Sequence, residues 1–123
     1  MQDYYEKYYR WFPELNRVKD QALARAACDA WEDSIRMSGW NDLSEVPFHP
    51  NPIKGCLLHH LQITTKIAVD MAEAIMDVYA IDVDMDVLIL SAMMHDLSKP
   101  NEFEPRPDGY GKSRLAYLYQ HGV

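Results

Sequence analysis

Three side chains in this sequence of 123 residues carry chemistry at a telling spacing: His95, its neighbour Asp96, and His60, with 34 residues between the two histidines. His95 and Asp96 close a strongly apolar run that contains Val87, Leu88, Leu90, Met93 and Met94. An aspartate in such a run is costly unless something offsets its charge. A divalent cation does so directly, and imidazole nitrogen with carboxylate oxygen is an ordinary donor set for a transition metal. Consecutive residues of a helix point about 100° apart. Both side chains reach one cation only if it sits beside the helix, between their directions, or if the last turn is distorted. A structural role stays open on these residues alone. Asp96 could cap a following turn, and His95 could bond a backbone carbonyl.

His60 follows Leu57, Leu58 and His59 in a second apolar segment. Adjacent histidines cannot share a direction. His60 falls on a row with Ile63, Ile67 and Met71 and is expected to be half-buried, with His59 solvated. On chemistry alone, a histidine satisfied by neighbouring polar groups is a commoner role than a ligand.

The elements that must position these groups read as helices. The aromatic opening, Tyr4 to Pro13, suggests a short covering helix halted by Pro13, or an interface, since aromatics are enriched at protein contacts. A first long helix is expected over 14–38, with Leu15, Val18, Ala22 and Ala26 as its stripe, bulk from Trp31, Ile35 and Met37, and Gly39 as its stop. Residues 40–54, with Pro47, Pro50 and Pro52, form a long loop that also holds His49. A central helix follows over about 56–79, its broad apolar arc including Leu57, Leu61, Ala68, Ala72, Ile75 and Tyr79. Asp82 or Asp84 caps a third helix that Pro100 ends. Residues 102–112, with Pro105, Pro107, Gly109 and Gly111, read as a polar turn or short hairpin, and Ser113 starts a fourth helix. The expected fold is all-α: a helical bundle with a long proline-containing loop and a short polar turn or hairpin.

Composition narrows the function. A formal net charge of -7 argues against broad binding to nucleic acid or to an anionic membrane. It leaves room for a small phosphorylated molecule, because a bound cation reverses the local field. No apolar stretch approaches the roughly 18–20 residues of a membrane span, and the start lacks the character of a signal peptide. Cys28 and Cys56 are too far apart for a C-x-x-C motif and read as small buried thiols of a reducing compartment, so the expected location is the cytoplasm.

The run Met93-Met94-His95-Asp96-Leu97-Ser98-Lys99 resembles the apolar-apolar-His-Asp-apolar-Gly-Lys signature of the HD superfamily of metal-dependent phosphohydrolases. Gly55-Cys56-Leu57-Leu58-His59-His60 is similar to the Gly-x-Leu-Leu-x-His stretch that supplies that superfamily's first histidine. The two together are far more specific than either alone, and they cover roughly 54–123. The resemblance implies an HD-type helical region over 54–123, incomplete at its C-terminus, preceded over 1–53 by a helical extension and loop. It implies His60, His95 and Asp96 as metal ligands and a further aspartate downstream. Asp108 follows the pair too closely to be that aspartate. The segment 112–122 resembles the one that gives two-metal members a further histidine, which makes His121 a second-metal ligand. Ser98 departs from the usual glycine. Lys99 keeps its place, with an ammonium to hold a phosphate oxygen or to pair with a carboxylate near the metals.

The implied reaction is phosphoester hydrolysis of a small molecule or nucleotide through metal-activated water, with Asp96 bridging the ions or orienting the hydroxide. One or two transition-metal ions are expected: Mn, Fe, Zn, Ni or Co before Mg. Arg106, Lys112 and Arg114 could grip phosphate or simply be surface residues. Two rivals stand beside this reading. One is a di-iron oxygenase of the same superfamily that cleaves a C–C or C–P bond. The other is a catalytically degenerate binding domain. A homo-oligomer through the aromatic N-terminus is the remaining partner expected.

Overall fold

The computed structural model describes residues 4–47, 55–107, 109–113 and 116. The described residues are mostly helical: α1 (Tyr4–Trp11), α2 (Gln21–Arg36), α3 (Leu57–Tyr79), α4 (Met85–Met94) and α5 (Lys99–Glu102), with 3-10 turns at Pro13–Arg17 and Leu43–Glu45. One antiparallel hairpin joins them, β1 (Phe103–Arg106) with β2 (Gly109–Lys112), in the register Phe103 to Lys112 and Arg106 to Gly109. Gly109 has φ +137°, which L side chains rarely adopt, so glycine suits the turn. The polar excursion expected before the chain end is thus a hairpin. His49, Asp108, Arg114 and His121 lie outside the described residues.

The chain forms two compact units, Met1–Asp29 with Leu61–His95, and Ala30–His60 with Asp96–Val123. In the first, Tyr8, Phe12 and Leu15 are fully buried, as are Leu61, Ile89 and Met93. Tyr8 and Phe12 of the aromatic opening are thus core residues, and Tyr4, Tyr5, Tyr9 and Trp11 are partly exposed. Tyr4 and Tyr5 both donate their hydroxyls to Asp29 Oδ1, at 2.5 and 2.7 Å. These bonds to a carboxylate raise both phenols above the usual tyrosine range.

The first long helix begins seven residues later than expected, at Gln21 rather than 14. Pro13 opens a 3-10 turn instead. The chain then leaves helical geometry at 18–20, where Asp86 on α4 accepts the backbone N–H groups of Lys19 and Asp20 at 2.8 and 3.1 Å. Asp20 Oδ1 in turn accepts from Ala22 N and Leu23 N and caps α2. The stripe shifts with the start. Ala24, Ala27, Cys28, Trp31 and Ile35 are buried, Ala22 and Ala26 are exposed, and Met37 is 79% exposed.

In α3 the expected span holds, with a buried row of Leu57, Leu61, Thr65, Val69 and Ala72. Ile75 and Tyr79 do not join that core, and Ile63, Ile67 and Met71 stand half or more exposed. Asp84 caps α4, its carboxylate accepting from Val87 N at 3.2 Å. Pro100 does not end that helix. α4 stops at Met94, and Pro100 sits in the first turn of α5, where its missing N–H costs nothing.

The second unit is built on Trp31, Ile35, Leu43, Val46, Leu57 and Phe103, all buried. Asp42 caps the short turn at Leu43–Glu45. Pro47 and Cys56 form an isolated bridge just before α3.

Candidate metal centre

His60 lies in the first turn of α3, whose register is set by Leu57 and Leu58, both buried. That packing turns His59 to solvent and leaves His60 partly covered, as its place in the sequence suggested. Asp96 lies two residues past the end of α4, in the turn 95–98. His60 Nε2 stands 3.1 Å from Asp96 Oδ2, with side-chain exposures of 30% and 20%.

The turn bearing Asp96 is held from both sides. Ser34 Oγ, on α2, donates to the carbonyl of Leu97 at 2.7 Å. Asn101 Nδ2 donates back to Ser34 O and Oγ, both at 3.2 Å. The backbone N–H of Lys99 closes the turn onto Asp96 O at 2.9 Å. Further on, Trp40 Nε1 donates to Phe103 O at 3.0 Å. Ser34, Trp40 and Asn101 were not singled out in the sequence, because their partners lie 63 to 67 positions away.

His95, the chain neighbour of Asp96, has its Nδ1 2.6 Å from the carbonyl of Ala92. A carbonyl only accepts, so Nδ1 carries a proton. A metal-binding histidine is commonly oriented by such a bond. The structural role considered for His95 is therefore real, and it engages Nδ1 rather than Nε2. One donor atom each from His60, His95 and Asp96 lie within 4.8 Å of one another. Two donors about 2.1 Å from one ion and roughly 90–109° apart are separated by about 3.0–3.4 Å. The His60–Asp96 distance falls in that range. Two imidazoles and one carboxylate are a donor set of the kind divalent transition metals take.

Ser98 has φ -80°, so the turn does not need the glycine usual there. Its hydroxyl donates to Glu102 Oε2 at 2.8 Å. Lys99 Nζ lies 3.3 Å from Glu102 Oε1 and 5.9 Å from the centroid of the Phe103 ring. Glu102 thus holds Lys99 in place, a role the sequence did not suggest. Arg106 is turned to Glu104 Oε1 and the Lys112 carbonyl, at 3.3 and 3.0 Å.

These features describe a mostly helical protein with a His-His-Asp donor group. Over 56 residues the chain is 38% identical to a dihydroneopterin 2',3'-cyclic phosphate phosphodiesterase of Methanocaldococcus jannaschii. The match takes in 46% of this chain and 22% of the relative, so the chain matches about a fifth of that relative's length. No protein-family model matches the chain, and no solved structure matches it. Among the described residues, no helix is long and apolar enough to cross a membrane.

Proposed function

We propose that this chain is the metal-binding part of an HD-type phosphohydrolase, with residues 54–123 as the HD-type region. It hydrolyses a phosphoester of a small molecule or nucleotide. The observation that carries the reading is the meeting of His60 with Asp96, from two separate sequence motifs, at ligand spacing. The partial likeness to a phosphodiesterase of a small phosphorylated molecule supports the same class of reaction.

In this reading His60, His95 and Asp96 hold a divalent cation such as Mn, Fe, Zn, Ni or Co, and His121 serves a second one. The cation supplies charge to polarise a phosphoryl oxygen and to lower the pKa of a water. The chain's own residues do the rest. Asp96 orients the attacking water through a carboxylate oxygen. Ser34 and Asn101 keep the Asp96 turn from shifting. Lys99, steadied by Glu102, offsets charge that grows on the transferred group. The protein works in the cytoplasm.

The test is metal content and hydrolysis of bis(p-nitrophenyl) phosphate, measured together. Wild type is expected to retain metal through desalting and to release nitrophenolate. His60→Ala and Asp96→Ala are expected to lose both, and His59→Ala, on the solvated neighbour, neither. Equal metal content in all four proteins contradicts the proposal.

A further inference from the structure

The second unit holds a cleft of about 280 Å³ whose lining includes Trp40, Glu45, Pro47, Cys56 and Tyr110. This is near the lower end of the roughly 300–1,000 Å³ of small-molecule sites, which are mostly apolar with a few placed polar groups. Several of its lining residues are held by contacts within the unit. The indole N–H of Trp40 is tied to the Phe103 carbonyl at 3.0 Å. Tyr110 packs edge-on against Phe103, with ring centroids 5.8 Å apart. Pro47 is bridged to Cys56. Its position matters as much as its lining. The N–H of His60 donates to the carbonyl of Cys56 at 3.3 Å. Cys56 is therefore four residues, about 6 Å of helical rise, before the histidine of the candidate metal centre.

Resting on the phosphohydrolase reading, we propose that this cleft receives the base of the substrate. That base is a flat, fused heterocycle with a ring N–H and an exocyclic amine side by side, as in a pterin or a guanine. Its face lies against Trp40, Pro47 and Tyr110, which supply the apolar and aromatic surface that a planar ring prefers. Its donor edge meets Glu45. That carboxylate accepts one backbone bond, from Asn41 N to Oε1 at 3.2 Å, and a carboxylate has lone pairs for several more. Two parallel N–H groups on a carboxylate form a strong paired contact of the kind arginine makes. With the base seated there, a phosphoester carried on its side chain has one helical turn to cross to reach His60 and Asp96.

Cys56 provides a reporter independent of hydrolysis. Its thiol is free and partly exposed, whereas Cys28 is fully buried. The rate of Cys56 modification by 5,5'-dithiobis(2-nitrobenzoate) is measured on the full chain with neopterin, guanosine, inosine or ribose 5-phosphate. Neopterin and guanosine are expected to slow the reaction. Inosine, which lacks the amine, is expected to need about tenfold more for the same protection, the cost of one hydrogen bond to a charged group. Ribose 5-phosphate is expected to give none. Glu45→Gln is expected to erase the guanosine–inosine difference without changing the circular dichroism spectrum. Which of neopterin and guanosine protects at lower concentration separates the two sources of that edge. The inference is overturned if no heterocycle protects Cys56, or if ribose 5-phosphate protects as well as guanosine. Hydrolysis of bis(p-nitrophenyl) phosphate without protection of Cys56 sinks this assignment and leaves the hydrolase standing. Protection without hydrolysis does the reverse.

Discussion

Asp86 and Asp96 stand near opposite ends of the same ten-residue helix, and they do different work. Asp86 accepts two backbone N–H groups, from Lys19 and Asp20, and fastens the segment before α2. Those bonds favour the charged form and hold its carboxyl below the usual aspartate range. Asp96 faces the imidazole of His60 instead, beside a second histidine. A carboxylate given to amides is a structural clamp. One given to imidazoles has, in the proposed function, a cation to share with them. The side chain is the same, and the partner chemistry decides its role.

Exchanging the two roles by mutation gives the largest expected effect. Asp96→Ala is expected to lower metal affinity by two orders of magnitude or more, since loss of a supporting residue alone costs about 10–100-fold. Asp86→Ala is expected to leave metal affinity unchanged and to lower the melting temperature. Titration calorimetry and thermal denaturation of the two variants separate these outcomes, and a similar metal defect in both would dissolve the contrast.

Ser34→Ala sharpens the Asp96 side of the comparison. It removes the donor to the Leu97 carbonyl and an acceptor for Asn101 in a largely buried place. The expected cost is about 1–3 kcal/mol of stability, read by urea unfolding. A modest loss of metal affinity should accompany it, which a purely structural serine would not produce.

The Asp86 side has a signature in pH. Its folded-state carboxyl is depressed, so the unfolded chain binds the proton more readily. Its contribution is complete above the unfolded aspartate value and disappears as pH falls through the lower folded one. The stability gap between wild type and Asp86→Asn is expected to be constant near neutrality and to close in acid. A gap that stays constant into acid would show that the two backbone bonds do not depend on its charge.

Thr65 sets the lower bound of the comparison. Its buried hydroxyl, on α3, has no hydrogen-bond partner among the described residues, unlike either aspartate. Thr65→Val keeps the shape and removes that unsatisfied group, with an expected gain of about 1 kcal/mol by denaturant unfolding. A loss of similar size would mean that the hydroxyl has a partner.

The parts of this protein that were legible in the sequence are those written in local spacing. The apolar rows around His60 and before His95 located their helices, and the resemblance of the two short motifs, more than the residue types, singled out His60, His95 and Asp96. The prolines and glycines of 102–112 pointed to a turn or a short hairpin, and the α4 cap was narrowed to Asp82 or Asp84. The start of α2 was hidden because alanines occupy both faces. Ala22 and Ala26 form as regular a row as Ala24, Ala27 and Cys28, and only the later bulk at Trp31 and Ile35 distinguishes them. Pro100 carries two opposite meanings, stop and first turn, and its neighbours do not choose between them. Asp86, Ser34 and Asn101 were illegible for another reason: their partners are more than sixty residues away, a distance that no local pattern encodes.

The central claim concerns one point in space between two helices' worth of sequence. A crystal of the chain grown with Mn²⁺ and measured for anomalous scattering tests it most directly. The account predicts a peak about 2.0–2.2 Å from a ring nitrogen of His60 and from a carboxylate oxygen of Asp96, with a nitrogen of His95 also turned to it. Manganese bound elsewhere, with His60 Nε2 still hydrogen-bonded to Asp96, would contradict it.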